Sequence, residues 1–398
     1  MPSSPAPSGP MSFDSMWAEL EPVGRHAGTG GYRRFAWTRT DSSLREWFTG
    51  QAQSRCMDVV PDRAGNLWAW TADPDTYGPG LVLGSHLDSV PDGGAFDGPL
   101  GVVSAFAALD ALGPERPRRP IGVVCFGDEE GARFGIACAG SRLLTGVLDA
   151  DRARGLSDAD GTSMAEAMTA GGHDPAALGR DDEALRRIGT FVELHVEQGR
   201  GLVEQGAAVG VAESIWPHGR WRLDLRGRAD HAGTTRLADR DDPMLALATA
   251  VRAARSAAEH HDALATIGKL QVAPNGVNAI PSSVTAWLDA RGPVDADVRA
   301  VVAEVAAAAG VEPVEESWTP ATAFSPRLRD RLAGLLGAPV LATGAGHDAG
   351  ILAGAGVPTA MLFVRNPTGV SHSPAEHAES ADCHAGVAAL ARVVRELA

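Results

Sequence analysis

Lysine is almost missing from this chain. Lys269 is the only lysine among 35 basic residues; the rest are arginine. Asp and Glu number 50, which leaves a formal net charge of -15 over 398 residues and a pI near 5.2. That balance repels polyanions, so nucleic acid and an anionic membrane are excluded as main partners. Cysteine is scarce as well. Cys56, Cys125, Cys138 and Cys383 stand far apart, and no two have CxxC spacing. A cysteine zinc site and a thioredoxin-like motif are thereby excluded, and buried free thiols in a reducing compartment are expected. No apolar run approaches the ~18 residues of a membrane helix. Met1 to Pro10 is Ser/Pro-rich without an apolar centre, so residues 1–12 read as a disordered tail and not as a signal peptide. Repeats, heptads and long low-complexity tracts are absent. A cytoplasmic enzyme is the expectation.

What is present is globular material. The 44% hydrophobic share argues against disorder, and the length exceeds what one core supports, so two domains are expected. Short apolar runs end in polar, glycine-rich turns. Leu81 to Gly84 leads into Ser85-His86, Ile121 to Phe126 into Gly127-Asp128-Glu129-Glu130, and Phe191 to Val196 into Glu197-Gln198-Gly199. Met361 to Val364 leads towards Ser371-His372. Helical spacing lies between them, near 100–113 and 384–397. Strands alternating with helices predict an α/β sandwich with a largely parallel sheet, whose ligands sit beyond the carboxyl ends of the strands. The segment 213–325 has another rhythm. A strand over 221–229, a helix over 243–260, strands at 266–272 and 284–290, a helix over 294–309 and a strand over 311–318 follow in order. This β-α-β-β-α-β sequence predicts an inserted ferredoxin-like domain. The first domain then covers 13–212 and 326–398.

The chemistry-bearing residues fall at the strand ends: His86, Asp88, Asp97, Glu129, Glu130, His195 and His372. Any one has a bland reading. A lone histidine at a strand end is usually structural, Glu-Glu pairs are common on solvated faces, and Asp97 between glycines suits a turn. Together they form a mixed nitrogen and oxygen donor set that suits Zn²⁺ or Mn²⁺. Five ligands with one shared carboxylate would hold two metals, as in metal-assisted hydrolases. Asp88, two residues after His86, can accept the second imidazole N–H and fix the tautomer.

The sequence resembles the M20 metallopeptidase family, and within it the amidase, hydantoinase and carbamoylase branch. That branch contains allantoate amidohydrolases, N-carbamoyl-L-amino-acid hydrolases and β-ureidopropionases. The matching stretches are Gly84 to Val90, Gly93 to Gly98, Glu129 to Phe134, Glu193 to Gly199, His231 to Thr235, Gly344 to Ala349, and Met361 to Val364 with Ser371-His372. The resemblance implies a dinuclear-metal α/β sandwich with a lid and dimerisation domain inserted. It implies one metal on His86, Asp97 and His195 and a second on Asp97, Glu130 and His372, with Zn or Mn as the ions and Co or Ni as alternatives. Glu129 becomes the general base towards a metal-bridging water. His231 becomes the group that polarises the scissile carbonyl, in many relatives across a homodimer interface. Asn278 and Arg291 become substrate contacts, and Gln198, His218 and His347 line the pocket. His195 leans the substrate away from peptides, because peptidase relatives usually place a carboxylate there.

Three departures stand out. Arg236-Leu237 follow the His231 to Thr235 motif where Pro-Met is usual. Arg365-Asn366-Pro367-Thr368 follow the strand 360–364 where many relatives have a Pro-Ser pair, and Trp216 to Arg220, with His218 at its centre, is the segment in which allantoate-type relatives often carry a glutamine. The last two are expected near the pocket and to bear on the substrate. The expected activity is hydrolysis of a small ureido or carbamoyl carboxylate, allantoate or an N-carbamoyl-L-amino acid. An N-formyl- or N-acyl-amino-acid hydrolase or dipeptidase is the alternative within the family. A catalytically inactive binding protein is the alternative of another class.

Overall fold

The structure is a computed structural model and describes residues 12–113 and 117–398. The expected tail therefore lies outside the described residues except at Ser12. That residue is not tail: its side chain accepts the Ser15 N–H and caps the helix Phe13–Leu20. The chain divides into two compact units, 1–213 with 323–398, and 214–322.

The first unit is built on a nine-stranded sheet. Its centre holds four parallel strands in the order Ile121–Phe126, Gly80–His86, Ile188–Val196, Thr359–Val364. Three of these strands are buried along their whole length. Sheets covered on both faces need such continuous apolar runs. Away from this centre the pairing changes. Leu67–Trp70 and Asp58–Pro61 extend one side antiparallel, and Val209–Ile215 pairs antiparallel on the other. The sheet is therefore mixed; the antiparallel strands are short or alternating and lacked the continuous runs that marked the centre.

One face packs on the helices Pro99–Asp110 and Ser380–Leu397. Pro99 supplies the first helical position, where its missing N–H costs nothing. Ten of the twelve residues in that helix are buried, because it lies between the sheet and the C-terminal helix. Each Val, Leu or Phe so enclosed contributes about 1.5–3 kcal/mol. Alternation along Ile188–Val196 sends Val192, Leu194 and Val196 into this core. Glu193 and His195 must then point from the other face.

The second unit has four antiparallel strands in the order Val314–Thr319, His218–Arg226, Ser283–Arg291, Leu264–Ala273. The helices Pro243–His260 and Asp295–Ala309 bury their apolar stripes against it. Gly310 closes the second helix at φ 69°, a left-handed position suited to glycine. The first strand runs 218–226, not 221–229. The polar start His218-Gly219-Arg220 hid its beginning, and pairing with Ser283–Arg291 is what makes it a strand. His231 sits in a separate two-residue strand, Asp230–His231, paired with Ala279–Ile280.

Of the cysteines, Cys125, Cys138 and Cys383 are buried free thiols; Cys56 is exposed, against expectation. Among the described residues no helix is long and apolar enough to cross a membrane.

Candidate metal centre and active site

Because the central strands are parallel and in register, their carboxyl ends gather the polar residues that follow. His86 lies opposite Phe126, and His195 lies opposite Phe363. Asp97 stands between the histidines. Its Oδ1 is 3.1 Å from His195 Nε2 and 3.5 Å from His86 Nε2. Its Oδ2 is 3.4 Å from His372 Nε2, and that nitrogen is 3.5 Å from Glu130 Oε2. Two donor groups result, His86/Asp97/His195 and Asp97/Glu130/His372, each with its ligand atoms within 4.8 Å of one another. The Nε2 atoms of His86 and His195 are buried without a hydrogen-bond partner. An unpaired buried nitrogen is costly, and one aimed at a carboxylate beside a second imidazole fits a divalent cation.

The surrounding chain holds these ligands in place. His195 Nδ1 lies 2.9 Å from the Val196 carbonyl and donates to it, leaving Nε2 to face Asp97. His86 Nδ1 faces the Asp88 backbone oxygen at 3.2 Å and the Asp88 carboxylate at 3.4 Å. That carboxylate does more than was expected of it: its two oxygens accept the backbone N–H groups of Glu129 and Glu130, at 3.2 and 3.0 Å. Gly98 is required beside His86. Its φ is +84°, and a Cβ there would lie 2.4 Å from the imidazole. Asp128, Cys138 and His372 also adopt positive φ, a strained geometry for residues with a Cβ and one that clusters at functional sites.

Glu129 is buried, with Oε2 3.7 Å from His86 Nε2 and Oε1 accepting the Cys138 thiol at 3.1 Å. Burial pushes its carboxyl well up, and Asp348, Glu130 and Asp88 add to this while His86 opposes. Asp97 goes the other way. Burial disfavours its charge, but His195, His372 and His86 outweigh that and hold it well below the usual carboxylate range.

Gln198 joins the group: its Nε2 donates to Asp97 Oδ2 at 2.7 Å and to Ser371 Oγ at 3.0 Å. His347 is buried beside His195, ring centres 4.5 Å apart, and burial lowers its pKa well below the ordinary histidine value, with His195 adding to the effect. The remaining candidates belong to the second unit and form two groups. His218 and Arg291 are register partners. His231 and Asn278 lie together past the other end of the same strands, where Ala232 N–H donates to the Asn278 carbonyl at 3.0 Å. Eight residue steps of strand separate the two ends, about 26 Å. Arg291 directs Nε and Nη2 onto the Asp289 carboxylate at 2.8 and 2.7 Å; residues i and i+2 share a strand face. His231 Nδ1 accepts the Gly233 N–H at 3.0 Å, so the neutral ring carries its proton on Nε2.

Sequence reasoning missed Glu193, Asp348, Cys138 and Glu376. Glu193 accepts Ser85 Oγ at 2.7 Å and the Ala349 N–H at 3.0 Å, and with His195 and His347 forms a third group of donors. A glutamate two residues before His195 in an apolar strand was the available signal. Asp348 is fully buried and its carboxyl is pushed up to about 8, chiefly by burial. Arg365, expected near the pocket, grips Asp382 with two bonds of 2.8 and 2.9 Å.

A sheet with a parallel centre and clustered histidines and carboxylates at its carboxyl edge is an arrangement that suits a metal-dependent hydrolase. Residues 82–396 match Peptidase family M20/M25/M40, and the chain belongs to that family. It is 36% identical to an N-carbamoyl-L-amino acid amidohydrolase of Geobacillus stearothermophilus, over 96% of each chain. It is 31% identical to the allantoate amidohydrolase of Escherichia coli K12, over 93% of each. Among solved structures it resembles an amidase of the hydantoinase/carbamoylase family from Burkholderia vietnamiensis. The TM-score is 0.87 at 28% identity, over 98% of each chain.

Proposed function

We propose that this chain is a metal-dependent amidohydrolase that cleaves the linear, non-peptide C–N bond of a small ureido or carbamoyl carboxylate. The observation that carries this is Asp97, whose Oδ1 faces His86 and His195 and whose Oδ2 faces His372 beside Glu130, so that it belongs to two donor groups. The relatives named above supply the substrate class. Two divalent ions, Mn²⁺ or Zn²⁺, would be held by His86, Asp97 and His195, and by Asp97, Glu130 and His372. When bound, such ions polarise a carbonyl and lower the pKa of water towards 7. Glu129 takes the proton from the attacking water and passes it to the leaving nitrogen. Gln198 fixes the Asp97 oxygen it touches. His231 donates from Nε2 to the developing oxyanion, Asn278 binds beside it, and Arg291 pairs the substrate carboxylate through its planar fork. Hydrolysis of a carbamoyl group releases ammonia and carbon dioxide with the amine.

The second unit is read as a ferredoxin-like lid and dimerisation domain. Four groups spread over about 26 Å of strand cannot all touch one small substrate. His231 with Asn278 and His218 with Arg291 are therefore assigned to different active sites, which a homodimer provides. The deciding experiment is ammonia release by the Mn²⁺-loaded protein from allantoate and from several N-carbamoyl-L-amino acids. Release from either class is the expected result. Silence on both, with turnover of N-formyl or N-acetyl amino acids or dipeptides, would move the protein to the acylase reading. Silence on all would favour a binding protein.

A further inference from the structure

Glu376 touches none of the candidate metal ligands' donor atoms, yet it connects the loop of Asp97 with the loop of His372. It is 5% exposed. Its Oε1 accepts two consecutive backbone N–H groups, Phe96 at 2.8 Å and Asp97 at 3.0 Å. Its Oε2 lies 3.4 Å from Ser371 Oγ, and that hydroxyl is 3.4 Å from Asp97 Oδ2. The Glu376 N–H in turn donates to the Ser373 carbonyl at 3.0 Å, which folds the chain back directly after His372. One carboxylate thus spans 280 positions of sequence. Gly94 leaves the room for it, since a Cβ at that position would lie 2.4 Å from Oε1. Phe96 is wedged from outside by Trp17 and His377, ring centres at 4.9 and 6.0 Å.

We propose that Glu376 is a positioning residue of the metal centre. By holding the Asp97 backbone N–H and the Ser371-His372 loop on one carboxylate, it sets the distance between the shared ligand and the His372 side. This rests on the reading of Asp97 as the shared ligand. Its role is to accept hydrogen bonds, and a glutamine oxygen accepts the same two N–H groups. Outer partners that orient metal ligands are typically worth 10–100-fold in metal affinity.

The test is Mn²⁺ titration of the chelator-stripped full chain by calorimetry, with metal content measured by elemental analysis. The parent is expected to bind two ions. Glu376→Ala should bind the ion of the Asp97/Glu130/His372 group at least about tenfold more weakly. Glu376→Gln should stay close to the parent. Gly94→Ala, which displaces the carboxylate without altering it, should resemble Glu376→Ala. Parent-like binding of both ions by Glu376→Ala overturns the proposal, and so does a Gln variant as impaired as the Ala variant. If circular dichroism shows Glu376→Ala unfolded, Gly94→Ala decides, and parent-like affinity there overturns it. A parent chain that binds no Mn²⁺ would overturn the metal-centre reading itself, a result distinct from these.

Discussion

Glu129 and Glu130 are neighbours in the chain with different surroundings. Both backbone N–H groups sit on Asp88, so the two side chains diverge from a fixed turn. Glu129 reaches His86 and the Cys138 thiol, whereas Glu130 reaches His372 and accepts the Val90 N–H at 3.3 Å. Separate roles predict separate losses. Glu129→Gln keeps the shape, removes the proposed base, and should lower kcat by about 10²–10⁴-fold while metal content stays at the parent value. Glu130→Gln should lower metal content first. Elemental analysis beside kinetics checks the pair, and equal metal loss in both variants would sink the division. The sequence made this pair legible because an apolar strand runs straight into it. It could not make Asp348 or Cys138 legible, since their meaning lies in contacts with Ser141 and Glu129 that no local pattern announces.

At the scale of elements, continuous apolar runs read correctly and polar-started strands did not. Ile121–Phe126 was readable because every residue is buried. His218–Arg226 lost its first three residues to a polar beginning, and with them went the register that pairs His218 with Arg291. Arg365 shows the same limit from another side. In sequence it marks a departure near the pocket; in the structure it ties the end of Thr359–Val364 to the first turn of Ser380–Leu397. Asp382 is buried, and Arg365 is about one-third exposed. Removing one partner of a buried pair costs roughly 3–5 kcal/mol. Partial exposure of the arginine and the helix N-terminus beside Asp382 reduce this. Arg365→Met should therefore cost on the order of 2 kcal/mol, read as a lower melting temperature, with the preference between allantoate and carbamoyl substrates unchanged. A changed preference at parent stability would make Arg365 a specificity residue.

At the scale of the whole molecule the question is how many chains make one site. The second unit presents apolar side chains to solvent: Leu237, Leu245 and Val277 are 82%, 71% and 107% exposed. Its strand Leu264–Ala273 is an edge, paired on one side by Ser283–Arg291. Open edges and exposed apolar residues are what proteins normally cover, and a second copy of the chain would cover both. On the proposed dimer reading, His231 and Asn278 would serve the partner's substrate, and His218 and Arg291 would serve that of their own chain. Chains carrying His231→Ala and chains carrying Glu129→Ala should each be nearly inactive. Mixed after subunit exchange, they form some heterodimers in which one site receives an intact Glu129 from one chain and an intact His231 from the other. Each such heterodimer should show about half the parent activity, because its second site carries both lesions. Activity that stays at the level of the separate variants, with exchange shown by mass, would place His231 in the active site of its own chain. His218 and Arg291 would then have to find another role, since the length of the strand keeps them from the same small substrate.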